Sequence, residues 1–245
     1  METDRPDVTE STCTVDAGHL QLETDLVRLI NEKSEKTQTN TVLINQMNLK
    51  IGITGNTDIQ MCYQSYGVQI KKDSESGIQE GNDGHGDLMF RVKYNLIGNN
   101  KGNFALTILP YIKFPVSRYE DDSLFEAGII IPMSYKLPGG WDLGFQLEID
   151  RLKDKERQLM HTEFLQTLTL SHSIVKSIEG IAETYYTYDF KAHQITNFIN
   201  AAIQIEVFKD FKLDVGINYG LQHDADKQYF WALPIAGKIM LILFI

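Results

Sequence analysis

From Trp141 to Arg151 the chain alternates without a break. Trp141, Leu143, Phe145, Leu147 and Ile149 fall on one side, and Asp142, Gly144, Gln146, Glu148 and Asp150 on the other. The same period of two runs from Phe211 to Gln222, where Phe211, Leu213, Val215, Ile217, Tyr219 and Leu221 oppose Lys212, Asp214, Gly216, Asn218, Gly220 and Gln222. Leu88, Phe90, Val92, Tyr94 and Leu96 form a third apolar stripe. Phe104 to Phe114 carries a fourth, and Ile195 to Val207 a fifth. Successive side chains of a strand point to opposite faces, so this pattern predicts strands with one greasy face and one polar face. Helical spacing is nearly absent.

Two kinds of connection separate the runs. Gly55-Asn56-Thr57, Asn99 to Gly102, Pro138-Gly139-Gly140, Val175-Lys176-Ser177 and Lys209-Asp210 read as tight hairpin turns, where Gly and Asn accept positive φ. Residues 31–38, 71–85, 118–123, 153–158, 191–193 and 223–228 are longer or more charged. Short and long connections alternate. Twelve strands follow, over 19–31, 39–53, 58–71, 86–97, 103–117, 124–137, 141–153, 159–173, 177–190, 194–207, 211–223 and 228–241. An even count, short turns at one end and long loops at the other predict an all-β, up-and-down antiparallel transmembrane barrel. Both termini then lie at the short-turn end, the periplasmic side.

A soluble barrel would place the same stripes the other way round, greasy inside and polar outside. Twelve strands of large apolar side chains pointing inward would leave a cavity or force collapse, whereas facing lipid they need no mutual fit. Aromatic residues also gather near strand ends, as an interfacial girdle requires: Tyr63, Tyr94, Phe104, Phe114, Tyr119, Phe125, Tyr135, Trp141, Tyr188, Phe190, Phe211, Tyr219, Tyr229 and Trp231. The 245 residues are 42% apolar, too many for a disordered chain, and no apolar run is long enough for a membrane helix. With 33 acidic and 23 basic residues the net charge is −10, which argues against a nucleic-acid partner. A soluble β-barrel ligand binder stays as an alternative.

The polar stripes then line a lumen. Basic residues dominate strands two to five, with Lys50, Arg91, Lys93 and Lys113; Lys136 follows on the sixth. Acidic residues dominate strands seven to ten, with Glu148, Asp150, Glu163, Glu179, Glu183 and Glu206; Lys212 and Asp214 follow. Opposed walls of opposite sign are expected to pair across the bore and to set selectivity for solutes passing without energy coupling.

Residues 1–18 do not alternate and stand apart from the barrel of residues 19–245. They carry Asp4, Arg5, Asp7 and Glu10. One reading is a frayed terminus. The other, favoured by the density of charge, is a plug folded into the lumen, with Arg5 paired to a wall carboxylate such as Glu148 or Glu183, since a buried guanidinium needs such a partner. Cys13 and Cys62 could bridge, but two separate thiols are expected. None of the six histidines has metal-ligand spacing, and no nucleophile-elbow, phosphate-loop or dinucleotide motif occurs. Gly77 to Gly86, with Asn82 and Asp83, lacks the ligand order of a calcium loop and reads as a flexible loop. His223 beside Asp224, with Asp226 close by, is the one arrangement open to a hydrolase reading; solvated surface is the plainer one. No cofactor and no catalytic residue is expected.

Specific residues carry a resemblance. The opening Thr3-Asp4-Arg5-Pro6-Asp7-Val8-Thr9-Glu10-Ser11, followed by Val15 to Thr24, resembles that of a bacterial outer-membrane family named for the meta-pathway of phenol degradation, whose members are called transporters. Gly84-His85-Gly86-Asp87-Leu88 with Lys93-Tyr94-Asn95, Leu109 to Pro115, Ile131 to Tyr135 and Asp214 to Leu221 are similar to its strand motifs. The resemblance implies an outer-membrane barrel that passes or binds small, aromatic or hydrophobic compounds. Two departures are noted. No export leader precedes Thr3, so Met1 reads as an initiator added to a mature chain. The end, Lys238 to Ile245, does not alternate and places Phe244 next to last.

Overall fold

The computed structural model describes residues 2–33, 37–99, 102–118, 124–153, 159–222, 225, 227–232 and 239–240. Its strands are β1 (His19–Lys33), β2 (Thr37–Thr54), β3 (Thr57–Asp73), β4 (Gln79–Gly84), β5 (Leu88–Ile97), β6 (Phe104–Phe114) and β7 (Glu126–Leu137). Then follow β8 (Trp141–Lys153), β9 (Met160–Val175), β10 (Ile178–Asp189), β11 (Gln194–Phe208), β12 (Phe211–Gly220), β13 (Lys227–Ala232) and β14 (Ile239–Met240). Every wall strand pairs antiparallel with its neighbours, and β13 closes the sheet on β1 from Asp25↔Ala232 to Asn31↔Lys227. The result is a closed twelve-stranded barrel with one extra strand. The extra strand is β4, which extends β3 above the wall through Gly67↔Gly84 to Lys72↔Gln79. It lies in the stretch 71–85 that the sequence reads as a loop. β14 pairs with His19 and Leu20 of β1, within the range expected for the last strand.

The faces are those of a membrane barrel. Along β5, Val92 is 44% exposed and Lys93 is 1% exposed; along β12, Val215 is 42% exposed and Asp214 is 4% exposed. Leucine, isoleucine and aromatic side chains cover the outside, while Lys, Arg, Asp, Glu, Gln and Thr fill the inside. An exterior of this kind is stable only against acyl chains.

Alternation changes phase once, in three adjacent strands at one height. In β2, Lys50 is buried in the interior, whereas nearer the loops Leu43 is buried and Ile44 is exposed. In β3, Gln60 and Gln64 are buried, yet Tyr66 is exposed. In β1, Asp25 and Arg28 share the interior side and pair at 2.7 Å although they are three residues apart, because the register to β13 slips after Asp25. Asn45, with φ of 56°, ties the three phase changes together. Its Oδ1 accepts from Thr24 Oγ1 at 2.7 Å and its Nδ2 donates to Ser65 Oγ at 2.9 Å. Asn tolerates this left-handed backbone better than most residues.

Candidate functional site: a segment threaded through the lumen

The first residues enter the barrel from the short-turn end. Gly18 N–H donates to the Gly52 carbonyl at the root of β1. Gly52 has no side chain, which lets the carbonyls of Val15 and Asp16 press on that point of the wall; a Cβ there would collide with them. From the root the segment moves around the inside. Val15 N–H donates to Asp58 of β3 at 2.9 Å. The Thr12 carbonyl accepts from Asn95 of β5 and from Thr107 of β6, and the Thr12 hydroxyl meets Ser134 of β7 at 2.8 Å. Glu10 N–H donates to Gln146 of β8 at 2.8 Å. The Thr9 hydroxyl sits between Thr167 and Thr169 of β9, at 2.5 and 2.6 Å. Val8 and Thr9 N–H both donate to Glu183 of β10 at 2.8 Å. Gln204 of β11 donates to Thr3 and to the Arg5 carbonyl, and Arg5 donates to Asp214 of β12 at 2.9 Å. The Arg5 guanidinium lies 5.6 Å from the Phe230 ring centre of β13, and it pairs with Asp25 of β1. Asp4 reaches Lys50 of β2 at 2.5 Å. All twelve wall strands are therefore touched by a stretch of fourteen residues, Thr3 to Asp16.

At the centre of the bore three cations meet three carboxylates. Asp4 lies 2.5 Å from Lys50 and from Lys93 and 3.2 Å from Arg91. Glu10 takes the other edge of Arg91 in a bidentate pair, at 2.5 and 3.0 Å. Glu23 of β1 pairs with Lys50 at 2.5 Å and accepts the Asp4 N–H at 3.2 Å. Gln60 accepts from Arg91, and the Ser11 carbonyl accepts from Lys93 at 2.9 Å. Buried charges of this kind are tolerable only because each has both a counter-ion and hydrogen bonds. Burial alone would raise the Asp4 carboxyl; Lys50, Lys93 and Arg91 overcome it and hold the group well below the usual carboxylate range. For Glu10 burial wins, and it is pushed up to about 6 against the pull of Arg91. Asp7 is raised well above its ordinary value by burial and by Glu183.

Several expected contacts differ. Instead of meeting the acidic wall across the bore, Lys50, Arg91 and Lys93 pair with Asp4 and Glu10 of the segment and, for Lys50, with Glu23 of the neighbouring β1. Arg5 pairs with Asp25 and Asp214, not with Glu148 or Glu183. Glu183 instead accepts backbone and hydroxyl donors from Val8, Thr9 and Thr169. Glu206 is exposed where β11 nears its turn, opposite Lys212 in register. Lys113 pairs with Glu126 and, at 3.6 Å, with Asp87, in a separate network near the long loops. Asp150 accepts from Tyr111 at 2.6 Å, Glu148 accepts from Gln146 and Glu179 from Ser171. Cys13 and Cys62 are not bridged. His223, Asp224 and Asp226, on which the hydrolase reading turns, lie outside the described residues, as does Tyr119.

Asp58 and Gln60 lie on the lumen face that the sequence gives to the strand of Cys62, and Gln146 lies on the polar stripe from Asp142 to Asp150; residues that the sequence did not single out complete the site: Gln21, Glu23, Asp25, Arg28, Thr167, Thr169 and Gln204. The alternation of Gln21, Glu23 and Asp25 was available as a signal. Arg28 was hidden by the phase change after Asp25.

A family model described as "Putative MetA-pathway of phenol degradation" matches residues 3–230, and so includes the threaded segment. The chain belongs to that family. Among solved structures, an outer membrane channel from Pseudomonas putida F1 superposes with a TM-score of 0.63 at 9% identity, over 94% of this chain and 99% of that one. The NanC porin gives a TM-score of 0.55 at 10% identity, over 86% and 98%. The translocator domain of the autotransporter NalP from Neisseria meningitidis gives 0.54 at 9%, over 89% of each chain. No curated protein sequence matches the chain. At such identities the likeness carries the fold, that of a transmembrane barrel of the outer-membrane type, and family membership rests on the sequence match.

Proposed function

We propose that this family member is a passive outer-membrane channel for small solutes, held shut by its own residues 3–16. The supporting observation is that those residues hydrogen-bond, pair or stack with each of the twelve wall strands, a set of contacts that blocks the bore in this reading. The same segment bounds a polar cavity of about 370 Å³ on the short-turn side, with Arg5, Lys136, Asp142, Glu179 and Lys212 in its lining. Opening requires the segment to withdraw. Lys50, Arg91 and Lys93 would then face Glu148, Asp150, Glu183 and Asp214 across water, and that transverse field would sort solutes by charge. Asp4, Arg5, Asp7 and Glu10 are the gating residues in this reading. The family description and the interior aromatic side chains support small aromatic or hydrophobic compounds as the solutes.

The test is conductance of the purified protein in planar bilayers. Arg5→Ala removes the pairs to Asp25 and Asp214 together, and it is expected to raise conductance above that of the unaltered protein. An unchanged trace counts against the gating role.

A further inference from the structure

We infer that Val8 occupies a binding site for an aromatic carboxylate, formed by Arg28, Tyr185, Phe198 and Asn218, and that such an anion opens the channel by taking Val8's place. The inference rests on the proposal that the segment closes the bore.

Tyr185 of β10 and Phe198 of β11 are register partners and both face the interior on the long-loop side of the segment. Their rings stack with centres 4.5 Å apart and planes 9° from parallel. Leu165, Ala225 and Val8 pack around the pair. Of these, Val8 is the only one carried on the threaded segment. It is held there by its N–H on Glu183 at 2.8 Å, with the Thr9 N–H on the same carboxylate.

Buried polar atoms are nearly always hydrogen-bonded, and two beside this cluster are not. Asn218 is 6% exposed and donates through Nδ2 to the Tyr185 hydroxyl, yet its Oδ1, like that of its register partner Asn200, has no hydrogen-bond partner among the described residues. The cluster also has a cation at its edge. Arg28 reaches it through Gln228, the register partner of Asn218, and lies 5.3 Å from the Phe230 ring centre. Its side chain is 26% exposed, while the Asp25 carboxylate that holds it is 1% exposed. Nε and Nη2 serve Asp25, and Nη1 has, among the described residues, a 3.3 Å bond to Gln228.

A flat aromatic platform beside a partly open guanidinium edge suits a ligand with a ring and a carboxylate. The ring replaces the Val8 side chain on Tyr185 and Phe198. The carboxylate takes the Nη1 edge of Arg28 in a charge-assisted bond. A neutral aromatic uses only the first contact, and a short aliphatic anion only the second. Lifting Val8 also pulls the Val8 and Thr9 N–H groups off Glu183, which couples ligand binding to release of the segment.

The experiment uses the full chain in planar bilayers, with benzoate, benzyl alcohol and acetate added in turn on the long-loop side. Binding is measured in parallel by calorimetry in detergent. Benzoate is expected to bind and to raise open time, with benzyl alcohol weaker and acetate without effect. Val8→Ala removes two methyl groups' worth of competition and lowers the half-saturating benzoate concentration about tenfold. Arg28→Gln raises it about tenfold or more for benzoate and leaves benzyl alcohol unchanged. Phe198→Leu, which keeps bulk but not the ring face, weakens both aromatic probes. Heat-dependent migration checks that each variant is folded. No benzoate binding to either the unaltered protein or Val8→Ala overturns the site. Equal effects of acetate and benzoate overturn the aromatic half. Binding without a change in open time overturns the competition with Val8. Failure of the gating proposal shows separately, as an unchanged conductance in Arg5→Ala.

Discussion

The carboxylate of Asp4 stands between the ammonium groups of Lys50 and Lys93, 2.5 Å from each. One residue of a segment without regular structure thus neutralises two cations from two different wall strands, in a place where water is scarce. Removing one partner of a buried ion pair costs about 3–5 kcal/mol, because the remaining charge is left uncompensated. Asp4→Asn is therefore expected to release the segment more completely than Arg5→Ala, since Lys93 then loses its carboxylate partner and keeps, among the described residues, neutral acceptors. Single-channel recordings should show the larger conductance gain in Asp4→Asn, with Lys93→Met in the same background partly restoring closure.

Docking should tighten as pH falls from 7 toward 5. Glu10 is pushed up to about 6 in the docked segment, first by burial, against an ordinary value of 4.5. Asp7 is raised in the same sense by burial and Glu183. A carboxyl raised in the docked state binds its proton more tightly there than when released, so protonation between about pH 6 and 4.5 favours docking. Asp4 is held low and stays charged through this range, which keeps its pairs to Lys50 and Lys93. Open probability is expected to drop on acidification, and Glu10→Gln should flatten the response. A rise in open probability at pH 5 contradicts the assignment.

The wall was legible because lipid and water face every strand at once. Val92 beside Lys93, or Val215 beside Asp214, states in two residues which side each occupies. β8 begins and ends at the residues that the alternation from Trp141 predicts. Strands β1 to β3 were less legible, since the phase change held by Asn45 moves Arg28, Leu43 and Tyr66 off the simple pattern. The extra strand β4 escaped because Gln79 to Gly84 is exposed polar chain, with no burial to impose a period. The segment's charge was plain, but its partners were not. Which carboxylate Arg5 meets depends on the path from Gly18 around the inner wall, and no local residue pattern encodes that path.

Gly52 offers a steric handle on the root of that path. Gly52→Ala would put a Cβ into the carbonyls of Val15 and Asp16, and backbone at that point has little room to yield. Gly55, in the adjoining turn, has open space where its Cβ would sit. Gly52→Ala is expected to lift the segment and raise basal conductance, and Gly55→Ala to leave it unchanged. Equal traces for the two variants would show that the root contact does not govern docking.

The outer face makes a depth-dependent prediction. Ile203 lies near the middle of β11 and is 44% exposed, while Ile195 sits at its long-loop end. A lysine near the bilayer midplane costs about 2–4 kcal/mol, and near the interface about 0–1. Urea titration of folding into lipid vesicles should show Ile203→Lys strongly destabilised and Ile195→Lys close to the unaltered protein.

The closure itself can be tested by pinning the segment. The hydroxyls of Thr9 and Thr169 are 2.6 Å apart, so Thr9→Cys with Thr169→Cys, in a chain where Cys13 and Cys62 are serine, sets two thiols at that contact. The pair is placed in the Asp4→Asn background, and conductance is recorded before and after reduction. The bore is predicted to be largely shut while the crosslink is oxidised and to open when reductant is added. The same high conductance in both redox states would contradict closure by the N-terminal segment.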